Sequence, residues 1–443
     1  MTEKRLGKKR RKAERVLSTG NAESSNGRRI LSKLCVEQTD NLTTVKRIAA
    51  SPVFIFGAAL ATRLASATYI LSRRFRPQLL FLQNEPSHIA AALVSGLGFS
   101  SPYAGAPTAP TAQQPPGYPF ILAAIFKVFG ICTVASAWTA VLINVLAGAV
   151  TAVLLYYVGR LHFGETVGIL AAWLWVLPWM YRTNAFSVSL TNAYLAALGL
   201  TALFLWVPKR LEGSRRWFVL GVYSGLLVLL QPSLLPIVLV YAGWLAWSKA
   251  RSPRVLIAIA GLLLALAPWT ARNYVTFGRS IPFRDNFGLE LWLGNRPGMQ
   301  GTVDFSGDFP DHDPSHYARL GELPFMDEKF DAARKFIMSD PAGFVWRVLR
   351  RMVEFWYVPY PFWWIVVSIL GWLGAAWAMR KDRNGWVWLI MLTVFPLVYY
   401  VTHNFPTYRH PIEPLVILLA AYAMVGIIAP AKKAAATKFP IGR

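Results

Sequence analysis

The strongest constraint on this chain is a series of apolar blocks, each roughly 17 to 25 residues long, the length that a helix needs to cross about 30 Å of hydrocarbon. Backbone polar groups in lipid must be satisfied within the segment, so these blocks are expected to be helices. Of 443 residues, 55 % are hydrophobic and 15 % are charged, and a soluble domain of this size needs more charge on its surface. The sequence therefore predicts an all-α polytopic membrane protein.

The formal net charge of +24 indicates membrane topology rather than a nucleic-acid partner. Much of the charge lies in residues 1–47, in runs such as Lys8 to Lys12, and in short clusters between the apolar blocks. Basic residues are retained on the cytoplasmic side of a membrane. The tail also lacks the interleaved aromatic residues of RNA-binding segments. We therefore expect a cytoplasmic N-terminus, contacts with membrane lipids and no nucleic acid.

With the basic tail inside, about ten transmembrane helices place the basic clusters on the cytoplasmic side. These spans are predicted at about 50–72, 136–158, 165–181, 189–207, 217–231, 233–249, 254–270, 357–379, 385–402 and 411–430. An even number puts both termini in the cytoplasm of a multi-pass protein of the plasma (inner) membrane. Residues 1–47 are predicted to be a disordered basic tail, 48–430 the membrane domain, and 431–443 a second basic tail.

One apolar block, residues 117–132, would invert every later loop if it crossed the membrane. It is interpreted instead as a re-entrant or interfacial helix, introduced by Pro115 and Pro116. Two large extracytoplasmic loops bearing juxtamembrane helices follow from this topology, at 73–135 and 271–356, with a short loop at 182–188. Loops of this length are usually functional or disordered, and the composition of 271–356 favours a folded one.

The first large loop holds one acidic residue, Glu85, which precedes a predicted helix over 89–94. A lone carboxylate beside a membrane surface is a candidate general base. The alternative is a solvated helix N-terminus, where the helix dipole favours Glu.

Two arginines, Arg272 and Arg409, lie at predicted outer ends of spans, where the topology rule disfavours basic residues. An arginine fork binds phosphate through two hydrogen bonds, and a lipid phosphate would lie at that depth. The alternative is pairing with lipid headgroups or with Glu413.

The loop 271–356 contains a cluster of potential metal ligands. Carboxylates and histidines at such close spacing could bind a divalent cation, although the spacing matches no closed metal site and solvation is the alternative. The cluster comprises Asp304, Asp308, Asp311, His312, Asp313 and His316. Glu322 opens the amphipathic stretch that follows, where its alternative role is to cap a helix.

The order of these features resembles the GT-C superfamily of membrane glycosyltransferases over about residues 50–430. More narrowly, it is similar to the family 39 group that is related to protein O-mannosyltransferases and aminoarabinose transferases. The segments that carry the resemblance are the acid that opens a helix at Glu85, Gly96-Leu97-Gly98, Pro115-Pro116-Gly117-Tyr118-Pro119, and the runs 267–274, 286–295 and 408–414.

The resemblance implies a hexosyl- or pentosyltransferase that moves a sugar from a polyprenyl-phosphate carrier to a lipid, glycan or protein acceptor at the outer face. By the family pattern, Glu85 is the catalytic base, and Arg272 and Arg409 stabilise the leaving phosphate. No cofactor other than a possible divalent metal ion is implied. The further residues expected to contact substrate are Asn84, His88, Tyr118, Asn273, Glu322, Tyr408 and His410.

The sequence departs from the family pattern at two positions. The family usually begins this motif with an Asp-Glu pair, and here the first position is Asn84; many members carry another acid in the second outer loop, but residues 181–186 contain none. The alternatives are therefore a catalytically divergent member or, in a different class, a transporter or flippase of a lipid-linked saccharide. Because the predicted spans carry almost no ionisable residues near their centres, the enzyme is favoured.

Overall fold

The computed structural model of the protein describes residues 47–74, 81, 84–103, 108–177, 190–249, 251–299, 314–357, 362–382 and 385–438. Within these ranges the chain forms α-helices and short 3₁₀ turns, and its one β interaction is a bridge between Ser100 and Pro110. The expectation of an all-α architecture is thus confirmed for this part of the chain. The predicted disordered tail lies almost entirely outside the described residues.

The helices of the first half begin with a long apolar helix, which two short helices follow. They are α1 (Pro52–Arg74), α2 (Glu85–Val94), α3 (Gly117–Phe129), α4 (Val134–His162), α5 (Glu165–Val176), α6 (Ala193–Leu203), α7 (Ser214–Leu230), α8 (Leu235–Ser248) and α9 (Val255–Phe277).

The helices of the second half include four that belong to the segment between two long apolar helices. They are α10 (Phe287–Asn295), α11 (Pro314–Leu320), α12 (Glu322–Ser339), α13 (Pro341–Tyr357), α14 (Phe362–Lys381), α15 (Trp386–Val394), α16 (Leu397–Val401) and α17 (Glu413–Lys438). The backbone of α17 is helical through the start of the predicted C-terminal tail at 431–443.

Five helical segments are long and apolar enough to cross a membrane: Pro52–Ser72, Val134–His162, Val255–Phe277, Phe362–Lys381 and Thr407–Ile428. They coincide with five of the ten predicted spans. Helices α5, α6, α7 and α8 and the pair α15 and α16 coincide with the other five, and all of them except α7 are shorter than the predicted spans. The count of ten spans therefore remains a prediction.

Proline accounts for two of the interruptions. Helix α7 ends at Leu230 and a 3₁₀ turn over Pro232–Leu234 leads into α8, which is the break expected from Gln231-Pro232. Pro396 separates α15 from α16, because proline lacks an N–H and its ring clashes with the preceding turn. The sequence analysis did not anticipate this second break, and treated 385–402 as one span.

The block at 117–132 forms the 13-residue helix α3, which begins directly after Pro116. At 1.5 Å per residue it is about 20 Å long, which is less than the thickness of the hydrocarbon core. Helix α3 packs on α2, and the buried core between them contains Phe81, Ala90, Leu122 and Phe126. Helices α5 and α6, which coincide with predicted spans, are no longer than α3, so its interpretation as a helix that does not span remains a prediction.

The segment 271–356 contains a folded core, as its composition favours. Leu289 and Leu293 of α10 pack with Phe325 and Met326 of α12. Gly288 brings the two helices together, because a Cβ atom at that position would lie 2.1 Å from the carbonyl oxygen of Met326. Tyr103 of the first loop belongs to the same core, which therefore connects α10 and α12 to the chain that follows α2.

Close contact between α7 and α9 depends on glycine. A Cβ atom at Gly221 would lie 1.9 Å from the carbonyl oxygen of Ala258, and one at Gly261 would lie 2.5 Å from that of Phe218. Small residues allow helices in membranes to approach closely and to gain packing energy.

We expect Gly221→Ala to lower the free energy of unfolding by about 2 kcal/mol, because the new methyl group forces α7 and α9 apart. Gly243→Ala on α8 is the matched control, since no atom lies within 4 Å of a Cβ atom there. Thermal unfolding in detergent compares the two variants. An equal effect of both substitutions would contradict the packing argument.

Candidate active site around Glu85

Glu85 is the first residue of α2, and Asn84 is the N-cap of that helix. The Asn84 side chain accepts a hydrogen bond from the Ser87 backbone N–H at 3.1 Å, as helix-capping residues do. Its amide also donates to the carbonyl oxygen of Leu190 at 2.6 Å, which joins α2 to the chain before α6. His88 follows Glu85 by three residues on the same side of the helix. Glu85 therefore lies at a helix N-terminus, which is the position that the alternative interpretation gave it.

The Glu85 carboxyl group is partly buried and interacts with two charged side chains. Burial raises the pKa of the Glu85 carboxyl, although its own backbone N–H opposes this rise. The negative charge of Glu290 raises the pKa further, and the positive charge of Arg284 lowers it. A raised pKa makes a carboxylate a stronger base near neutral pH.

Glu290 lies in the first turn of α10 and is held by three side chains. Its Oε1 atom accepts hydrogen bonds from Arg284 at 2.8 Å and from the Asn286 amide at 2.6 Å. Its Oε2 atom lies 3.3 Å from Nδ1 of His403. The run 286–295 carried part of the family resemblance, but the sequence analysis did not identify Glu290 as a site residue.

His403 connects Glu290 to Tyr408. Its Nε2 atom lies 3.0 Å from the Tyr408 hydroxyl, and Tyr408 stacks on Tyr399 with ring centroids 4.8 Å apart. Burial lowers the pKa of His403, while the Glu290 carboxylate opposes that change. The neutral tautomer that fits both contacts donates from Nδ1 to Glu290 and accepts a hydrogen bond from the Tyr408 hydroxyl at Nε2. Tyr408, a predicted substrate residue, thereby belongs to one group of contacting side chains with His403 and Glu290.

Glu322 is buried at the start of α12 and anchors the loop that follows α2. Its carboxylate accepts hydrogen bonds from the Thr111 hydroxyl, from the Ala112 backbone N–H and from the Tyr317 hydroxyl, the last at 2.7 Å. Burial raises the pKa of Glu322, and these three donors oppose the rise. These contacts explain how the Glu322 side chain is held. A role of Glu322 in substrate binding remains a prediction.

Arg272 donates to backbone carbonyl groups of the same loop. Its guanidinium reaches the carbonyl oxygen of Thr111 at 2.7 Å and that of Phe99 at 2.9 Å, and lies over the ring of Trp269. The neighbouring Asn273 side chain donates to the carbonyl oxygen of Ile281 at 2.8 Å. Arg272 and Asn273 therefore connect α9 to the loops on either side of the site.

Arg409 is buried at the start of the last span. Its Nε atom lies 2.7 Å from Oε2 of Glu413, so the pairing with Glu413 that was an alternative to phosphate binding is present. The guanidinium also donates to the Ser368 hydroxyl at 2.7 Å and to the carbonyl oxygen of Trp356 at 3.2 Å. Phosphate binding by Arg409 remains a prediction.

Two further predicted residues are buried within hydrophobic surroundings. His410 contacts the ring of Tyr194 at 4.3 Å and that of Trp175 at 5.5 Å. Tyr118, in the first turn of α3, is 4 % exposed, and its hydroxyl has no hydrogen-bond partner among the described residues.

Arg63 was missed, although it lies near the middle of a predicted span. It is 1 % exposed and donates to the carbonyl oxygen of Trp175 at 3.0 Å. The sequence feature that could have identified it is a single basic residue inside the apolar block 50–72. The expectation of almost no ionisable residues near span centres is therefore incomplete.

In the described parts of the chain, no group of three or more His, Cys, Asp or Glu side chains is arranged to hold a metal ion. Of the predicted cluster, residues 304–313 lie outside the described residues. His316 is described, and it lies 3.0 Å from Glu328, a residue of α12. The divalent metal ion remains a prediction.

Sequence comparison gives one family match. Residues 113–271, about a third of the chain, match the profile of the dolichyl-phosphate-mannose-protein mannosyltransferase family. This match confirms the resemblance to the GT-C glycosyltransferases. Glu85 lies before the matched segment, and Glu290 lies after it. A comparison with curated protein sequences finds no match.

Comparison with solved structures finds remote neighbours. The oligosaccharyltransferase AglB from Archaeoglobus fulgidus, in complex with an inhibitory peptide and a dolichol-phosphate, matches at a TM-score of 0.41 and 11 % identity over 87 % of this chain and 52 % of that one. ArnT from Cupriavidus metallidurans, bound to undecaprenyl phosphate, matches at a TM-score of 0.39 and 14 % identity over 88 % of this chain and 80 % of that one. The chain spans about half the length of AglB.

We expect Arg409→Met to lower the free energy of unfolding by about 3 kcal/mol, because Glu413 is left buried without its cation. The double variant Arg409→Met/Glu413→Leu is expected to recover most of this loss, since it removes both charges. Thermal unfolding in detergent compares the stability of the wild type, the single variant and the double variant.

The same double variant separates the two interpretations of Arg409. A stable double variant that binds polyprenyl phosphate like the wild type assigns Arg409 to the fold. A stable double variant that has lost this binding assigns Arg409 to the phosphate.

Proposed function

We propose that the protein is a glycosyltransferase that moves a sugar from a polyprenyl-phosphate carrier to an acceptor at the outer face of the membrane. The observation that carries this proposal is the environment of Glu85, a partly buried carboxylate with a raised pKa on a short helix. The family match supports the class of reaction, and the description of that family names a dolichyl-phosphate sugar as donor.

Glu85 is the proposed general base. Its carboxylate takes the proton of an acceptor hydroxyl as the acceptor oxygen forms a bond to the anomeric carbon of the sugar. The bond from that carbon to the phosphate oxygen of the carrier breaks, and the carrier leaves as polyprenyl phosphate. A single displacement of this kind inverts the configuration of the anomeric carbon.

The remaining predicted residues have proposed roles that differ with their surroundings. Asn84 fixes the start of α2, and His88 lies beside Glu85 where it can contact substrate. Tyr408 extends the site toward the last span. Arg272 and Arg409 supply positive potential at the outer ends of their helices, in addition to the carbonyl contacts that hold them. Tyr118, Asn273, Glu322 and His410 support these elements from buried positions.

Several finer features belong to the proposal. The transferred group is a hexose or a pentose, and the acceptor is a lipid, a glycan or a protein. The protein lies in the plasma (inner) membrane with both termini in the cytoplasm, so the site faces outward. A divalent ion bound by residues of the 304–316 cluster would add positive charge near the phosphate.

A transporter or flippase of a lipid-linked saccharide is the second candidate, and Arg63 is the observation that favours it. Ionisable residues inside spans often mark transport pathways. Arg63, however, donates to the end of α5 and lies over the ring of Trp175. These contacts give Arg63 a structural role and favour the transferase.

We expect Glu85→Gln to abolish sugar transfer by at least about 100-fold, because glutamine keeps the shape of the side chain but cannot accept the proton. The assay uses membranes that contain the wild type or the variant and a panel of radiolabelled polyprenyl-phosphate sugars. Label that moves from carrier to product in the wild type only would support both the reaction and its base.

Two other outcomes are informative. Equal consumption of carrier by both proteins would keep the transferase but remove Glu85 from its centre. Movement of intact labelled carrier across the bilayer, without a new product, would support the flippase instead. Glu354→Gln, in the partly exposed ion pair of α13, is the control for loss of a carboxylate elsewhere.

A further inference from the structure

A cleft lies between the end of α14 and α17, near the end of the apolar span Thr407–Ile428. We propose that this cleft binds the headgroup of an anionic phospholipid as a specific ligand of the protein. The proposal goes beyond the sugar transfer and does not depend on it, because the cleft contains no residue of the proposed reaction. The residues that line the cleft are Trp377, Arg380, Lys381, Tyr422 and Gly426.

The Trp377 side chain forms one wall of the cleft and is fixed by the packing of α14 on α17. A Cβ atom at Gly374 would overlap the carbonyl oxygen of Leu419, so the two helices are in backbone contact there. A Cβ atom at Gly426 would overlap the Trp377 ring, so the indole rests directly on the backbone of α17. The position of the indole therefore depends on a glycine at position 426.

The Tyr422 side chain forms another wall and is fixed by aromatic contacts with two further helices. Its ring stacks on that of Phe163 with centroids 4.5 Å apart, and Phe163 contacts the ring of Trp388 at 5.2 Å. Phe163 is the C-cap of α4, and Trp388 belongs to α15. Four helices thus hold the walls, and a preformed cleft binds its ligand with little loss of conformational entropy.

Two cations border the cleft without a carboxylate partner. Arg380 and Lys381 are exposed, and neither forms an ion pair with a carboxylate in the described part of the chain. The Lys381 ammonium lies 5.9 Å from the centroid of the Tyr422 ring, at the edge of the cleft. With the adjacent Asp382 and Arg383, this segment has three basic residues and one acidic residue, a net charge of +2. The cleft therefore favours an anion.

The position of the cleft favours a lipid over a soluble anion. The apolar spans of α14 and α17 end at Lys381 and Ile428, so the cleft lies where hydrocarbon meets the headgroups. Trp and Tyr are enriched at that boundary, and basic pockets between membrane helices bind acidic headgroups. Met379, Ile427 and Ile428 flank the cleft residues along the chain and are 43 %, 49 % and 50 % exposed. Acyl chains can cover this apolar surface, whereas free phosphate cannot.

The size and chemistry of the cleft fit one headgroup. Its volume is about 350 Å³, within the range of about 300–1,000 Å³ that is usual for small-molecule sites. The Arg380 guanidinium can donate two hydrogen bonds to a phosphodiester, and the Lys381 ammonium supplies a second positive charge. The phosphate group would lie between these two side chains, with the acyl chains outside the cleft.

A lipid-binding assay on the full-length protein tests the proposal. The protein is immobilised in detergent, and scintillation proximity measures the binding of radiolabelled dioleoyl phosphatidylglycerol. We expect unlabelled phosphatidylglycerol to displace the label at a concentration at least about 10-fold lower than dioleoyl phosphatidylethanolamine, which has no net charge. The variant Arg380→Gln/Lys381→Gln is expected to lose this preference, because both cations that attract the acidic headgroup are absent. A wild type without the preference would overturn the proposal.

The variant Lys209→Gln/Arg210→Gln is the matched control. It removes the same two charges from another exposed basic pair, which does not line the cleft. We expect this control to prefer phosphatidylglycerol as strongly as the wild type does. An equal loss of preference in both double variants would indicate diffuse attraction by net charge and would overturn the proposal.

Gly426→Ala tests the shape of the cleft while both cations are retained. The new methyl group would displace the Trp377 ring, so we expect weaker binding of phosphatidylglycerol in this variant. Unchanged binding in a folded Gly426→Ala protein would overturn the proposal. If this variant does not fold, the comparison of the two double variants decides the question.

Inorganic phosphate distinguishes a lipid headgroup from a soluble ligand. The labelled lipid is bound to the wild type in sodium phosphate and in sodium chloride at the same ionic strength. Equal binding in both salts would support the lipid assignment. A selective loss of binding in phosphate would assign the cleft to free phosphate and would overturn the proposal.

Discussion

Helices that end within an apolar environment leave their last carbonyl groups without donors from their own backbone. In this protein, buried arginines from neighbouring helices donate to several of these groups. Arg63 donates to Trp175 at the end of α5, and Arg351 donates to Val401 at the end of α16. Arg409 donates in the same way to the end of α13. Each guanidinium carries five donors in a planar fork, so one side chain can serve carbonyl groups from more than one segment. Interrupted helices are stable here because such donors are available beside them.

Arg351 shows why the candidate site depends on this type of contact. Besides the end of α16, its guanidinium donates to the carbonyl oxygen of Gly294 and to the Asn295 side chain, near the end of α10. Glu290 lies in the first turn of α10, and His403 lies two residues beyond α16. The arginine therefore joins the two segments whose side chains meet as the Glu290–His403 pair. The site is assembled from loops, and a buried cation behind it fixes their relative positions.

The sequence allowed prediction of most of what local physics determines. Apolar length indicated the helical blocks, Pro116 predicted the start of α3, and Gln231-Pro232 predicted the break before α8. The sequence did not allow prediction of the tertiary contacts. An arginine near the end of a span is compatible with a phosphate, a carboxylate or a free carbonyl, and the sequence does not indicate which partner lies opposite. Glu290 was hidden for the same reason, because it is far along the chain from Glu85. Pro396 was a local signal that a continuous run of apolar residues obscured.

The position before Glu85 shows how a change of residue type can serve the backbone around a candidate base. Asn84 caps α2 and joins it to Leu190, so this residue serves the backbone on both sides of the candidate base. An aspartate there could accept from Ser87 but could not donate to a carbonyl oxygen, and the contact with Leu190 would be lost. The first position of α2, which Glu85 occupies, is therefore held by a side chain that also contacts the chain before α6.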